Sequence, residues 1–339
     1  MKKTFPKKII FLIISDVMPS SRFRILQNIT EIEKYHYDIT IKKIPKNSYN
    51  RLSLFSTLSS YDIVFLQKKL FQWWFLWLIK KKSKLLIYEF DDAVLYRDSD
   101  YNNFNSYTRN HRFKNTLKFA DKVIAGNEYL RDIGASFSTN IHVIPTGINT
   151  QIYVPRRKQI QAVPYTIGWI GSKSNLPLLK QIIEPLNKLY IDTKTFRLKV
   201  VCDDFNIDSA NFPIDFKRWR ESEEVSDIQS FDIGVMPFVN NKWTKGKCAL
   251  KLLQYMSCQL PSVSSKSDVT SSLVINGKNG YLASNALEWY DCIKILLDHP
   301  NQFEVLGKEA RKSIIGRFDT ETIARQYVKI FDDMIRCQK

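Results

Sequence analysis

The chain has 339 residues, enough for two domains of ordinary size, and its 44% hydrophobic and 13% aromatic content excludes a disordered polymer. Five scattered cysteines with no Cys-x-x-Cys pair exclude a disulfide scaffold and point to structural thiols in a reducing, cytoplasmic setting. The net charge of +17 selects an anionic partner. With no zinc-finger spacing, RNA-binding signature or Arg-rich arm, that partner is a phosphorylated small molecule or an anionic membrane surface rather than nucleic acid.

The first half alternates apolar runs with helical patterns. Lys7 and Lys8 precede Ile9–Ile14, which reads as a first strand and not as a signal peptide, because Asp16 interrupts so soon. Further strands are expected at Ile39–Ile44, Ile63–Leu66, Leu85–Phe90, Val123–Ala125 and Ile141–Ile144. Helices are expected at Ser21–Lys34, Leu52–Ser60, Phe71–Lys81 and Phe104–Ala120. Near-continuous apolar strands separated by helices indicate a parallel sheet covered on both faces.

Several turns in this half carry polar groups. Arg22 and Arg24 follow an expected helix cap at Ser20 or Ser21, and either meet a diphosphate or an anionic acceptor or lie solvated on a capped helix. Glu89, Asp91 and Asp92 end the fourth strand. They either face a cleft, binding a ligand's hydroxyls and steadying developing positive charge, or serve as a cap and salt bridge. Asp98-Ser-Asp100 imitates a short metal-nucleotide pattern and reads as a chance match. Glu128 and Pro145-Thr-Gly147 look like crossover turns, with Gly147 at a positive φ. The Trp73–Lys84 stretch pairs Trp73, Trp74 and Trp77 with Lys80, Lys81, Lys82 and Lys84. It fits an interfacial helix on anionic lipid as well as a core helix with a basic end, and it is too short to span a bilayer.

A polar connector around Pro155, Arg156, Arg157, Lys158 and Pro164 marks a domain boundary. The pattern then restarts, with strands expected at Thr166–Ile170, Leu198–Cys202, Asp232–Met236, Ser262–Ser264 and Tyr281–Ala283. Helices are expected at Leu176–Leu189, Lys247–Cys258, Ala286–Asp298, Phe303–Ile315 and Thr320–Arg336. Ile167-Gly-Trp-Ile-Gly-Ser-Lys173 is a strand ending in a small-residue turn. Gly168 and Gly171 permit close backbone approach, and Ser172 and Lys173 are within reach of a phosphate. The alternative is an ordinary strand-to-helix turn, and the spacing is not that of a Walker loop. In a helix over Lys247–Cys258, Lys247, Lys251 and Gln254 share one face opposite Ala249, Leu252, Leu253 and Met256. Cations in the first turns oppose the helix dipole, a conflict an anion relieves; the alternative is two solvated lysines. The histidines lack metal-site spacing.

Taken together, Pro19-Ser-Ser-Arg-Phe-Arg24, Ile87–Asp92, Ala120–Asn127, Val143–Ile148, Ile167–Ser172, Gly246–Pro261 and Asn276–Gly280 resemble the GT-B glycosyltransferases. The likeness is to the retaining family 4-type (group 1) enzymes, in the family's order and over nearly the whole chain. The resemblance implies an α/β protein with two Rossmann-like doubly wound domains and an interdomain cleft. Residues 1–155 would bind the acceptor, 156–317 the nucleotide-sugar, and 318–339 would form a helix crossing back to the first domain.

Carried over, Gly171 and Ser172 lie against the donor diphosphate, with Lys173, Lys247 and Lys251 as its basic contacts. Gly246 and Gln254 occupy the two positions of the family's Glu-x7-Glu motif, so both carboxylates are absent; Gln254 keeps an amide for a ribose hydroxyl. The expected activity is retaining hexosyl transfer from a nucleotide-sugar to a cell-envelope or lipid-linked glycan, with Asp91 and Asp92 catalytic. No cofactor or metal is expected, and the location is cytoplasmic, peripheral on the inner face of the membrane. The alternative is a catalytically silent subunit that binds nucleotide-sugar or membrane.

Overall fold

The computed structural model describes residues 6–97, 105–155, 163–207, 209–239 and 241–337. Asp98–Asp100 and the connector residues Arg156–Lys158 lie outside the described residues. The chain forms two compact units. The first comprises Met1–Gly147, Lys245–Cys248 and Phe318–Lys339; the second comprises Ile148–Thr244 and Ala249–Arg317.

In the first unit the strands are β1 (Lys7–Ile13), β2 (Tyr37–Lys43), β3 (Ile63–Gln67), β4 (Leu85–Phe90), β5 (Lys122–Ala125) and β6 (Ile141–Val143). They form one sheet in the order β2-β1-β3-β4-β5-β6, and every pairing is parallel. β1, β3 and β4 are buried along most of their length, as a sheet covered on both faces requires. One face packs Ile10, Leu12, Val64, Leu66 and Tyr88 under Phe55, Phe75 and Phe113. The other packs Ile9, Phe11, Phe65 and Ile87 under Ile323, Tyr327 and Phe331 of the closing Thr320–Arg336 helix.

In the second unit β7 (Tyr165–Ile170), β8 (Phe196–Cys202), β9 (Ile214–Arg218), β10 (Ile233–Met236), β11 (Ser262–Ser265) and β12 (Tyr281–Ala283) make another parallel sheet, ordered β12-β11-β10-β7-β8-β9. Sequence reasoning overlooked β9, whose polar Ile-Asp-Phe-Lys-Arg run suits an edge strand. The strand order reverses between β1 and β3 in the first sheet and between β7 and β10 in the second. Ligands of open α/β sheets bind outside the strands' carboxyl ends at such reversals.

At the second reversal Gly168 of β7 lies opposite Gly234 of β10. A Cβ on Gly168 would fall 1.9 Å from the Phe231 ring, which is fully buried. Gly168→Ala is therefore expected to destabilise the protein by about 3 kcal/mol through overpacking. Chemical denaturation should show a lower midpoint, partly restored by Phe231→Leu, and an unchanged midpoint would contradict the packing.

Several local expectations are corrected. The first helix is capped at Met18 with Pro19 at its first position, not at Ser20 or Ser21. Glu128 opens a helix, Glu128–Ala135, whose cap is Asn127. Gly147 has no positive φ; a Cβ there would meet Ile323 at 2.8 Å and the Phe318 carbonyl at 3.1 Å. The expected Leu176–Leu189 helix is broken into Leu176–Leu179, a 3-10 turn, and Ile183–Thr193. The chain leaves the first unit at Gly147, before the boundary expected at residues 155 and 156. Arg311 explains the early change, donating to the carbonyls of Thr150 and Tyr153 at 2.8 Å each within the second unit.

Candidate active site

In the first unit, polar side chains gather at the carboxyl ends of β3 and β4. Arg24 and Glu89 are fully buried and paired, Nε to Oε1 at 2.7 Å. Arg24 Nη1 also donates to Thr146 Oγ1 at 3.4 Å. Arg24 is thus a structural cation, and Glu89 does not face solvent with its two neighbours. Burial pushes the Glu89 carboxyl up to about 7 despite the pull of Arg24.

Lys68 follows β3 in the left-handed region, at φ 57, a strained backbone for a non-glycine residue. Its Nζ ion-pairs with Asp92, lies 3.2 Å from Asp91 Oδ1 and donates to Ser20 Oγ at 3.0 Å. Lys247 Nζ lies 3.3 Å from the other oxygen of Asp92. Burial disfavours an ionised Asp92, but Lys247 and then Lys68 outweigh it and draw the carboxyl down to about 2.

The four residues Lys245–Cys248 belong to this unit through specific bonds. Asn127 Nδ2 donates to the carbonyls of Lys245 at 3.2 Å and Lys247 at 3.1 Å. The Cys248 thiol donates to the Asp91 carbonyl at 3.3 Å. A Cβ on Gly246 would sit 2.7 Å from the Ala93 nitrogen, so a glutamate does not fit at this position without a backbone shift. Burial pushes the Cys248 thiol up to about 12, which keeps it a neutral donor.

The second unit corrects the expected helix. It spans Leu250–Ser257, and Ala249 before it has φ 52. Lys247 is outside the helix and in the first unit, so it does not share a helical face with Lys251 and Gln254. The latter two also differ. Lys251, in the first turn, holds its ammonium 5.5 Å from the centroid of the Trp169 ring. A Cβ on Gly171 would approach that ring at 2.6 Å and Lys251 Cε at 2.9 Å. Gly171 therefore leaves room for Lys251 at the end of β7. Its own N–H is already donated to Val201 O at 3.0 Å, so it offers close approach and not a hydrogen bond.

Ser172 is exposed; its hydroxyl lies 3.0 Å from that of Ser174 and accepts from Asn175 at 2.9 Å. Lys173 is exposed and paired with Asp204 at 2.6 Å. Gln254 is only 4% exposed. Its amide donates to Glu224 Oε1 at 3.0 Å and to the Tyr153 hydroxyl at 3.3 Å. Glu224 also accepts from Trp219 Nε1 at 2.9 Å and from the Tyr153 hydroxyl.

The structure thus brings Asp91, Asp92 and Lys247 together in one unit, and Gly171 and Lys251 together in the other. Sequence reasoning missed Lys68, Glu224 and the buried role of Arg24. Lys68 had a signal, being a cation directly after a parallel strand adjacent to the one that ends in Asp91 and Asp92. Glu224 had little, hidden in the acidic run Glu221–Asp227.

Residues 167–299 match the family described as Glycosyl transferases group 1. This segment contains the Gly168–Gly171 strand end and the Leu250–Ser257 helix, and the two parallel six-stranded sheets are those of a GT-B fold with two Rossmann-like domains. Among particular relatives, a probable sucrose-phosphate synthase of Thermosipho melanesiensis is 22% identical over 224 residues, 61% of this chain. The chain spans about half the length of that curated relative, the match covering 50% of it. Among solved structures, HepE of Anabaena in complex with UDP and glucose superposes with a TM-score of 0.73 at 17% identity, covering 96% of this chain and 100% of that one. The sucrose-phosphate synthase of Thermosynechococcus elongatus gives a TM-score of 0.70 at 14% identity, covering 98% and 100%.

Proposed function

We propose that this protein is a glycosyltransferase that moves a hexose from a nucleotide-sugar, held by the second unit, to a glycan or lipid-linked acceptor engaged by the first. One observation carries the reading: the group 1 match falls on the residues that build the β7–β10 reversal, where Lys251 lies over Trp169. HepE, of similar fold, was crystallised with UDP-glucose, which favours a UDP-sugar as the first donor to try.

In this reading Lys251 neutralises the departing diphosphate from a site already formed before reaction. Gly171 admits the diphosphate, while Ser172 and Lys173 flank it. Asp91 and Asp92, held by Lys68 and Lys247, accept hydrogen bonds from acceptor hydroxyls. Transfer proceeds on the same face of the sugar, with a donor phosphate oxygen taking the proton, and no metal takes part. Trp73 and Trp77, exposed beside Lys81, would let the first unit rest on anionic membrane at the inner face. No described helix is long and apolar enough to cross one.

Gln254 favours a second reading, a silent subunit that binds nucleotide-sugar without transferring it. Its amide is engaged with Glu224 and Tyr153 inside the second unit and is not presented to a ribose. A thermal-shift screen of UDP, GDP and dTDP and their sugars, followed by assay of nucleotide release, separates the two. A raised midpoint with turnover is the expected result. A raised midpoint without turnover selects the silent subunit, and no shift with any donor defeats both.

A further inference from the structure

Away from Asp91 and Asp92, three half-buried cations of the first unit lie near one another with no carboxylate paired to them among the described residues. Lys69 follows Lys68 at the end of β3, Arg51 lies on the Ser48–Ser56 helix, and Arg112 lies on the Tyr107–Phe119 helix. The Trp73–Lys82 helix packs against both of those helices, and Arg51 lies over Phe71 and Phe75 at its amino-terminal end, just beyond Lys69 in the chain. Arg51 is held in place. Its Nε donates to Pro45 O at 2.7 Å, and its guanidinium lies 5.6 Å from the ring centroids of both Phe71 and Phe75.

Among the described residues none of Arg51, Lys69 and Arg112 has an ion pair with a carboxylate, whereas Lys68, Lys80 and Lys84 in the same unit each have one. Burial, and then repulsion from Arg51 and Arg112, pushes the Lys69 ammonium below its ordinary value. Like charges so placed are unfavourable for the protein alone and favourable once an anion joins them. Planar guanidinium groups with a point-charged ammonium suit the oxygens of a phosphate.

We infer that Arg51, Lys69 and Arg112 form an anion subsite that takes a phosphate or diphosphate group, with the apolar part of the same molecule lying along the neighbouring tryptophan helix. Trp74 stacks on Phe75 at 3.5 Å, and Trp73 is 62% exposed, so an aromatic surface adjoins the cations. Calling this group the anionic end of the acceptor rests on the glycosyl-transfer reading; the binding itself does not. The phosphate can belong to a membrane lipid or to a dispersed amphiphile.

The test titrates the full chain with monomeric dihexanoyl phosphatidic acid, and in parallel with vesicles of phosphatidylcholine with and without phosphatidic acid. The unaltered protein should bind the monomeric lipid. The R51Q/K69Q/R112Q variant should bind it at least about tenfold more weakly, the loss of one charge-assisted contact or more. K69Q and R112Q singly should each weaken it, which keeps the test valid if Arg51 proves necessary for folding. K42Q/K118Q/K329Q, which removes as much charge from exposed positions of the same unit, should leave it unchanged.

Equal loss in both triple variants would show diffuse surface charge and overturn the subsite, as would binding confined to vesicles or no binding at all. Retention of the UDP-induced thermal shift in R51Q/K69Q/R112Q separates this subsite from the donor site. Should Lys251→Ala lose that shift yet still bind the lipid, the subsite stands independently. Should UDP give no shift in the unaltered protein while the lipid binds, the glycosyl-transfer reading fails and the subsite survives.

Discussion

Arg24→Met is expected to cost about 3–5 kcal/mol of stability, because it leaves Glu89 buried without its counter-ion. The pair is fully enclosed, at 1% and 0% exposure, and Arg24 Nη2 and Glu89 Oε2 make no further hydrogen bond among the described residues. Its Coulomb attraction therefore only offsets desolvation, and the larger energy appears when one partner is lost. Arg24→Met combined with Glu89→Leu should recover most of the loss, since both charges then vanish. Chemical denaturation of the two single variants and the double variant measures this, and equal, additive losses would mean that the groups are not coupled.

The same carboxyl sets a pH trend. Its value of about 7 in the folded protein exceeds the ordinary 4.5, so the folded state binds this proton more tightly than the unfolded chain. The resulting stability is complete below about 4.5 and is lost as the pH rises towards about 7. Asp92 acts in the opposite sense: drawn down to about 2, it adds stability above the ordinary carboxylate value of 3.8 that is lost as the pH falls towards 2. Glu89→Gln should flatten the fall between pH 4.5 and 7 and leave the acid limb in place. A slope unchanged by that substitution would assign the proton elsewhere.

On the proposed function, Lys251→Ala should lower turnover by about 10²–10³-fold, comparable to removing one preorganised group that stabilises developing charge. The ammonium stands in the first turn of the Leu250–Ser257 helix, where the dipole opposes it, and the face of Trp169 compensates in part. A leaving diphosphate gains more from the cation than the bound donor does, so the loss should fall on kcat more than on KM. Gly171→Ala checks geometry apart from charge: its Cβ, 2.9 Å from Lys251 Cε, would push the cation off the ring while keeping it. That variant should lose about tenfold, a single contact's worth of free energy. A Lys251→Ala enzyme with unaltered kcat would remove the residue from the site.

Much of the fold was legible because burial leaves a direct mark on composition. Strands covered on both faces must be apolar throughout, so β1, β3, β4 and β7 stand out, while the exposed edge strand β9 does not. The Thr320–Arg336 helix was read to the residue, since its apolar face repeats along its whole length and Asp319 caps it. The site was legible in part. Asp91 and Asp92 follow β4 and Gly171 follows β7, as the strand pattern implies, while Lys251 stands in the first turn of a helix. Lys247 was misplaced because helical spacing runs through Ala249, whose left-handed backbone delays the start of the helix to Leu250 and leaves no trace in side-chain pattern. Gln254 was misread because all five other residues from Leu252 to Ser257 are buried as well, so that helix has no polar face after its first turn.

The discontinuous first unit also bears on biosynthesis. One face of its sheet is covered by residues 320–336, yet all six strands of that sheet are complete by residue 143. At ordinary rates of translation roughly 10–40 s separate the last of those strands from the helix that covers them. During that interval Phe11, Phe65 and Ile87 lack their final partners on the ribosome. The nascent chain is then a candidate client for a chaperone that binds exposed apolar sheet, and a ribosome stalled before residue 320 would release a product open to aggregation.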